Sequence, residues 1–226
     1  MFLANLLNKS KNISFYHETL KLDFIAYVQA FNNPKTAMEY ISGFRKKYIY
    51  YLAANAGSGK LGEVNSVLRR HAEGIQTYIP GARVIHVIRD GRDVVRSMMA
   101  RETFTWKDPV SFFISPSDED PYYSRWSELN RFEKLCWYWY VENEYLAEQI
   151  DHIVRFEDAL QDFDYFSKRI LSPLNLDLSY EVWKRHVKQP KNVTENHRIP
   201  HWKEWDSIRK NQFHEICGDS MSKFGY

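Results

Sequence analysis

Arg89 and Ser97 are the residues whose types and spacing most readily do chemistry. They lie in RVIHVIRDGRDVVRSMMARE, residues 83–102. The stretch opens as an apolar run rich in β-branched residues and ends in a helical pattern, with Arg89, Asp90, Gly91, Arg92 and Asp93 at the junction. An Arg at the end of a strand can grip a phosphate through two parallel hydrogen bonds. The free N–H groups and positive dipole end of the following helix favour the same anion. Ser97 lies one turn into that helix, and helical side chains lean toward the N-terminus, so its hydroxyl can reach back to the anion. Asp93 is the expected N-cap. The chemistry expected is recognition of a phosphate. The plainer alternative pairs Arg89 with Asp90 or Asp93 and leaves Ser97 as a small helix residue.

The elements that must position these residues alternate between strand and helix. Residues 2–8 read as the tail of a helix, and NISFYHE as a strand followed by a turn. Residues 33–51 are helical in pattern, with Pro34 in the first turn. NAGSGKLG, residues 55–62, reads as a glycine-rich loop, and residues 63–79 as a helix ending at the Pro80-Gly81 turn. RVIHVI is the expected buried strand, with DVVRSMMARETF the helix after it. Residues 107–124 carry three prolines and the segment SPSDEDP, which marks a loop and a candidate mobile lid. Residues 125–149 form a long helical pattern with Trp126, Leu129, Leu135, Trp139 and Leu146 toward a buried face. HIVRFEDAL gives a further strand running into a helix, and the remainder is helical apart from a loop at 188–203. This alternation predicts a single α/β domain over residues 1–226, with a parallel sheet covered on both faces. In such sheets ligands sit at the carboxyl ends of the strands, which is where the RDGRD turn falls.

Bulk composition narrows the function classes. The chain of 226 residues is 44% hydrophobic and 16% aromatic, enough for one sizeable core. Its net charge of +2 argues against a dedicated nucleic-acid binder, so an anion site must be local. No run of about 18 apolar residues predicts a membrane span. The N-terminal residues have no basic segment and no small-residue cleavage site, unlike a signal peptide. Cys136 and Cys217 are far apart in sequence and lie in helical patterns, which suggests neither a disulfide framework nor a zinc site. A reducing, cytoplasmic setting is expected.

VIHVIRDGRDVVRSM resembles the 3′-phosphate-binding segment of sulfotransferases that use 3′-phosphoadenosine 5′-phosphosulfate (PAPS). In that family a strand ends in Arg and a Ser follows eight residues later, the spacing of Arg89 and Ser97. GEVNSVLRRHAEGIQTYIPGARVIHVIRD, HIVRFEDAL and EICGDSMSKFGY resemble, in order, the stretch before this strand, a later strand with its Glu-Asp pair, and the C-terminal helix. The resemblance implies a three-layer α/β sandwich with a central, mostly parallel sheet, the P-loop-like sulfotransferase fold. It implies PAPS as sulfuryl donor, with no metal, and an acceptor hydroxyl or amine. The acceptor itself, whether sugar, lipid, peptide or small alcohol, is not legible.

One family signature is absent: the strand and loop that bind the 5′-phosphosulfate. FLANLLNKS resembles the helix that follows this loop, so the chain is expected to begin just past it. A truncation, a misplaced start codon and a shortened protein would each look like this. AGSGKLGE does not substitute, because a Walker A loop needs Gly where Ala54 stands and Ser or Thr where Leu61 follows Lys60. Sulfuryl transfer relies on in-line positioning and on stabilising charge on the transferring and leaving oxygens. A chain without that loop is expected to keep part of the 3′-phosphate pocket and to transfer sulfate poorly or not at all.

The resemblance also places an acid–base residue after the central strand, because the acceptor must lose a proton as it attacks sulfur. The matching region offers Glu63, at the start of the expected helix, and His71. Their plainer readings are a helix-start stabiliser for Glu63 and a solvated neighbour of Arg69 and Arg70 for His71. The family's closing loop near the C-terminus is matched only loosely by NVTENHRIPHWKEW, where Arg198 and Lys203 are the candidate cofactor contacts. The leading expectation is a PAPS-dependent sulfotransferase. Its rivals are a degenerate module that holds a 3′-phosphonucleotide or a protein partner without catalysis, and a kinase-type phosphoryl transferase, which the absence of a Walker A motif disfavours.

Overall fold

Phe2–Leu7 forms a short helix (α1) that buries Leu3, Ala4, Leu6 and Leu7, and Ser14–His17 follows as a strand (β1). The structure, a computed structural model, describes residues 2–57, 60–108, 110–189 and 198–226. Leu22–Asn32 (α2) leads into Asn33, whose side chain accepts from the Lys35 N–H while Pro34 takes a first-turn position where no N–H is needed. The helix so started runs as Pro34–Tyr40 (α3), a π-helical turn at Ile41–Arg45, and Lys46–Asn55 (α4). It therefore begins where Pro34 predicts, but continues beyond residue 51 and carries an irregular turn in its middle.

Leu61–Val64 (β2) departs from the sequence expectation of a helix over 63–79. It pairs parallel with β1, Ser14 opposite Leu61 and Phe15 opposite Gly62. The close approach of Phe15 is the reason for Gly62, since a Cβ there would sit 2.1 Å from the Phe15 ring. Helix resumes only at a 3₁₀ turn, Arg69–His71, and at Ala72–Tyr78 (α5). His86–Ile88 (β3) is shorter than the expected run from Arg83, and it pairs with Ile153–Arg155 (β4), which passes directly into Phe156–Gln161 (α8). Between these strands come Gly91–Met99 (α6) and Arg131–Gln149 (α7). Phe163–Phe166 (α9), Ser172–Leu174 (α10), Tyr180–Val187 (α11) and Ser207–Lys223 (α12) complete the order.

The fold is thus mixed α/β and mostly helical. Where one central sheet is expected, the described residues form two two-stranded sheets, β1–β2 and β3–β4. Their strands are three or four residues long, and helices supply most of the buried apolar surface. The chain divides into two compact units, Met1–Val87 with Gln149–Val193, and Ile88–Glu148 with Thr194–Tyr226. In the first, α1 packs its apolar residues with Phe15, Val154, Phe166, Ile170 and Trp183. In the second, Val95, Leu135, Trp137, Trp139 and Cys217 are buried, and Phe132 meets Trp205 edge to face at 5.2 Å.

Helix α7 starts at Arg131 rather than 125 because Asn130 caps it. The Asn130 carboxamide oxygen accepts the Phe132 and Glu133 N–H groups, and Glu133 accepts the Asn130 N–H in return. Trp126 accordingly precedes the helix. The described residues of 107–124 form a loop apart from the 3₁₀ turn Ser111–Phe113, in which Asp108 accepts the Val110 N–H and Asp120 accepts from the Trp137 indole at 2.9 Å. Cys136 and Cys217, distant in sequence, are neighbours in the second unit, the Cys217 thiol donating to the Cys136 carbonyl at 3.4 Å. Burial pushes the Cys136 thiol well above its usual range. Among the described residues, no helix is long and apolar enough to cross a membrane.

Candidate functional site

In the second unit the strand-to-helix junction is tight: β3 ends at Ile88 and α6 begins at Gly91. The N-cap is Asp90, not the expected Asp93. Asp90 accepts the Arg92 N–H at 2.9 Å and also binds the Arg92 guanidinium through both carboxylate oxygens. The helix starts one residue before Arg92, so Asp93 falls inside the first turn, where its charge suits the dipole but its side chain caps nothing. Gly91 is required by a close neighbour, for a Cβ there would lie 2.9 Å from the Trp139 indole. Trp139 in turn donates to the Arg89 carbonyl at 3.1 Å, which fixes the backbone of the turn. The Tyr226 hydroxyl donates to the Ile88 carbonyl at 3.2 Å.

Arg89 reaches Asp93 at 3.5 Å, with 46% of its side chain exposed. Ser97 is half-buried in the second turn of α6. Of the C-terminal candidates, Arg198 pairs with Glu102 at 3.0 Å, and the neighbouring Ile199 carbonyl accepts from Arg96 at 3.4 Å. The Thr105 hydroxyl, and after it Arg198, hold the Glu102 carboxyl below its usual range. Lys203 is exposed on the 3₁₀ turn Trp202–Glu204, and Arg92 stacks over Trp202 at 4.0 Å. The 198–205 segment is thereby brought to α6, the helix that follows Arg89 and carries Ser97. Beside it lies a cleft of about 260 Å³ lined by Arg92, Trp202, Lys210, His214, Gly218 and Tyr226. That is smaller than the usual range of ligand cavities, so it suits a fragment such as one ring or one phosphate. The part of the expected closing loop at 190–197 lies outside the described residues.

Glu63 and His71 belong to the first unit, and both differ from their sequence readings. Glu63 is on β2, not at a helix start, so no helix dipole acts on it. Both its oxygens accept from Arg45 Nη2, at 2.8 and 2.7 Å, and Oε1 also accepts from Asn65 at 2.9 Å. Arg45 is fully buried and reaches Asp23, also fully buried, which accepts from the Tyr40 hydroxyl at 2.8 Å and from Asn65 at 3.0 Å. Burial and the Asp23 carboxylate push the Tyr40 phenol up.

His71 is not solvated. Its ring is fully buried against Tyr40, centroids 5.4 Å apart, and neither ring nitrogen has a hydrogen-bond partner among the described residues. Burial, and secondarily the Arg45 charge, push its pKa down to about 4. Glu63 and His71 are thus gathered around one buried guanidinium. Asp23, Arg45 and Asn65 went unread in the sequence, because a network joining α2, the π turn and β2 leaves no local spacing to find. No protein-family model matches the chain, and neither a curated protein nor a solved structure does.

Proposed function

We propose that the chain is a sulfotransferase-type domain that takes PAPS as donor and holds the donor's 3′-phosphate at the β3–α6 turn. The observation that carries this reading is the direct passage from the end of β3 through Arg89 and the capping Asp90 into α6. That passage sets a half-exposed guanidinium beside a helix N-terminus. Arg89 exchanges Asp93 for the phosphate, Ser97 donates its hydroxyl, and Arg198 and Lys203 approach from the segment that touches α6. PAPS supplies the sulfuryl group, and the family resemblance alone assigns to Glu63 the proton that the acceptor hydroxyl or amine gives up. The three-layer sandwich of such enzymes belongs to this proposal.

One observation favours a second reading. Both Glu63 oxygens already accept hydrogen bonds from Arg45, so proton transfer requires that pairing to loosen. A module that holds a 3′-phosphonucleotide or a protein partner without catalysis requires no such step. The test is calorimetric titration with adenosine 3′,5′-bisphosphate and, separately, 5′-AMP. Selective binding of the bisphosphate is expected, weakened about ten- to hundredfold by Arg89→Ala. Equal binding of both nucleotides, or binding indifferent to Arg89, overturns the site. Turnover that Glu63→Gln abolishes while binding persists supports transfer. Binding with no turnover in the unaltered chain supports the holding module.

A further inference from the structure

The helix that delivers Arg45 to Glu63 carries a feature the reading above does not use. Tyr40, Phe44, Tyr48 and Tyr51 recur at intervals of four, four and three residues, which places them along one side of the α3–α4 rod. Their rings form a continuous row with centroids 6.2, 6.3 and 6.4 Å apart, and the Phe44 and Tyr48 planes are within 10° of parallel. Phe44 is 48% exposed and Tyr51 63%. Helix α4 buries none of its residues, so the row is not an ordinary core stripe. The π-helical turn at Ile41–Arg45 lies in the middle of it. That turn sends Arg45 inward to Asp23 and Glu63 while Phe44 faces outward, and such single-turn irregularities are frequent at functional sites.

The row has a direction. At its inner end the Tyr40 hydroxyl donates to Asp23, which shares Arg45 and Asn65 with Glu63. At its outer end the Tyr51 ring stands in solvent, with the exposed Lys47 and Tyr50 nearby along the same helix. Flat aromatic faces interleaved with hydroxyl and ammonium donors match a ligand with apolar C–H faces and many hydroxyl groups.

We infer that this ladder binds carbohydrate, an oligosaccharide lying along Phe44, Tyr48 and Tyr51 with a hydroxyl directed toward Glu63. Its assignment as the acceptor rests on the sulfotransferase reading; the binding itself does not. A protein surface would want a broader apolar patch than one row of rings. A lipid surface would want a cluster of basic residues outermost, whereas Arg45 is buried and Lys46 lies over the Tyr50 ring, which leaves Lys47 as the one exposed cation among the described residues between 41 and 55.

The test applies the whole chain, without nucleotide, to a printed array of neutral, amino-sugar and uronic-acid oligosaccharides, and follows positives by titration. Binding of at least one class is expected. Phe44→Ala and Tyr51→Ala should each weaken it about fivefold or more, and Ile208→Ala, at an exposed apolar position outside the ladder, should leave it unchanged. Both ladder positions are exposed enough that the variants should keep the parent's circular dichroism and melting temperature. A silent array, binding indifferent to both ladder variants, or binding to phosphatidylserine vesicles in place of glycans overturns the inference. Ladder-dependent glycan binding in a chain that fails to bind adenosine 3′,5′-bisphosphate upholds this site and removes only the donor reading.

Discussion

Acidification should expose His71. The folded protein keeps this imidazole neutral down to about pH 4, whereas in the unfolded chain it takes a proton near its ordinary value of 6.5. Above pH 7 both states are neutral and the group contributes no pH dependence. As pH falls through 6.5 the unfolded state gains protons that the native state refuses, so stability falls, and the loss levels off below the native value. One pH unit of difference corresponds to about 1.4 kcal/mol, which makes the loss roughly 2 kcal/mol at pH 5 and about 3 kcal/mol at the limit. His71→Phe isolates this contribution. The ring sits against Tyr40 and its nitrogens make no hydrogen bond among the described residues, so Phe fills the space and strands no partner. At pH 7.5 the variant should lose about 1–3 kcal/mol, because the six-membered ring is larger than imidazole in a fully buried site. Urea unfolding of both proteins at pH 7.5 and 5.0 gives the double difference. The parent should lose about 2 kcal/mol more than the variant between the two values. Equal losses would refute the reasoning, since they would mean that His71 is protonated without hindrance in the native state.

Two further substitutions probe the same unit. Gly62→Ala drives a methyl into the Phe15 ring and should cost about 1–3 kcal/mol in urea unfolding, with Phe15→Leu in the same chain recovering part of the loss; a neutral Gly62→Ala would contradict the close approach of β1 and β2. Arg45→Met leaves Asp23 and Glu63 without their buried cation and should cost about 3–5 kcal/mol. A loss below about 1 kcal/mol would place the network in solvent.

Local signals in the sequence translated well. Asn33 and Pro34 start a helix, HIVRFEDAL is a strand passing into a helix, and the turn between β3 and α6 falls at the Arg89-Asp90 start of RDGRD, the rest of which is already helix. The misreadings arose where distant parts of the chain decide the outcome. LGEV has neither strand composition nor a strand period, and it is extended because β1 lies alongside it. Asp90 and Asp93 are equally good capping residues, and only the position of Trp139 against Gly91 settles where α6 begins. His71 follows two arginines and reads as surface, yet Tyr40 and Arg45 enclose it. At the candidate site, Arg89 and Ser97 were legible because strand end and helix start are contiguous in sequence. The Asp23–Arg45–Glu63 network was not, for its members are 22 and 18 residues apart and are joined by Arg45 of the π turn and by Asn65.

The β3–α6 turn carries its own counter-ions. Asp90 clasps Arg92 with both oxygens and is 13% exposed, while Asp93 touches Arg89 at 3.5 Å and is 32% exposed. The phosphate proposed to bind here would meet no bare cations, so its binding would be an ion exchange. On that proposal Asp93, the looser of the two, gives way, and Asp90 stays because removing it would uncap the helix. The cost of displacing a resident carboxylate falls equally on every incoming anion, so charge alone earns little preference. What distinguishes one anion from another at such a turn is shape: how many of its oxygens meet the Arg89 fork, the helix N–H groups and the Ser97 hydroxyl at once. Association should accordingly depend less steeply on ionic strength than two exposed arginines would suggest.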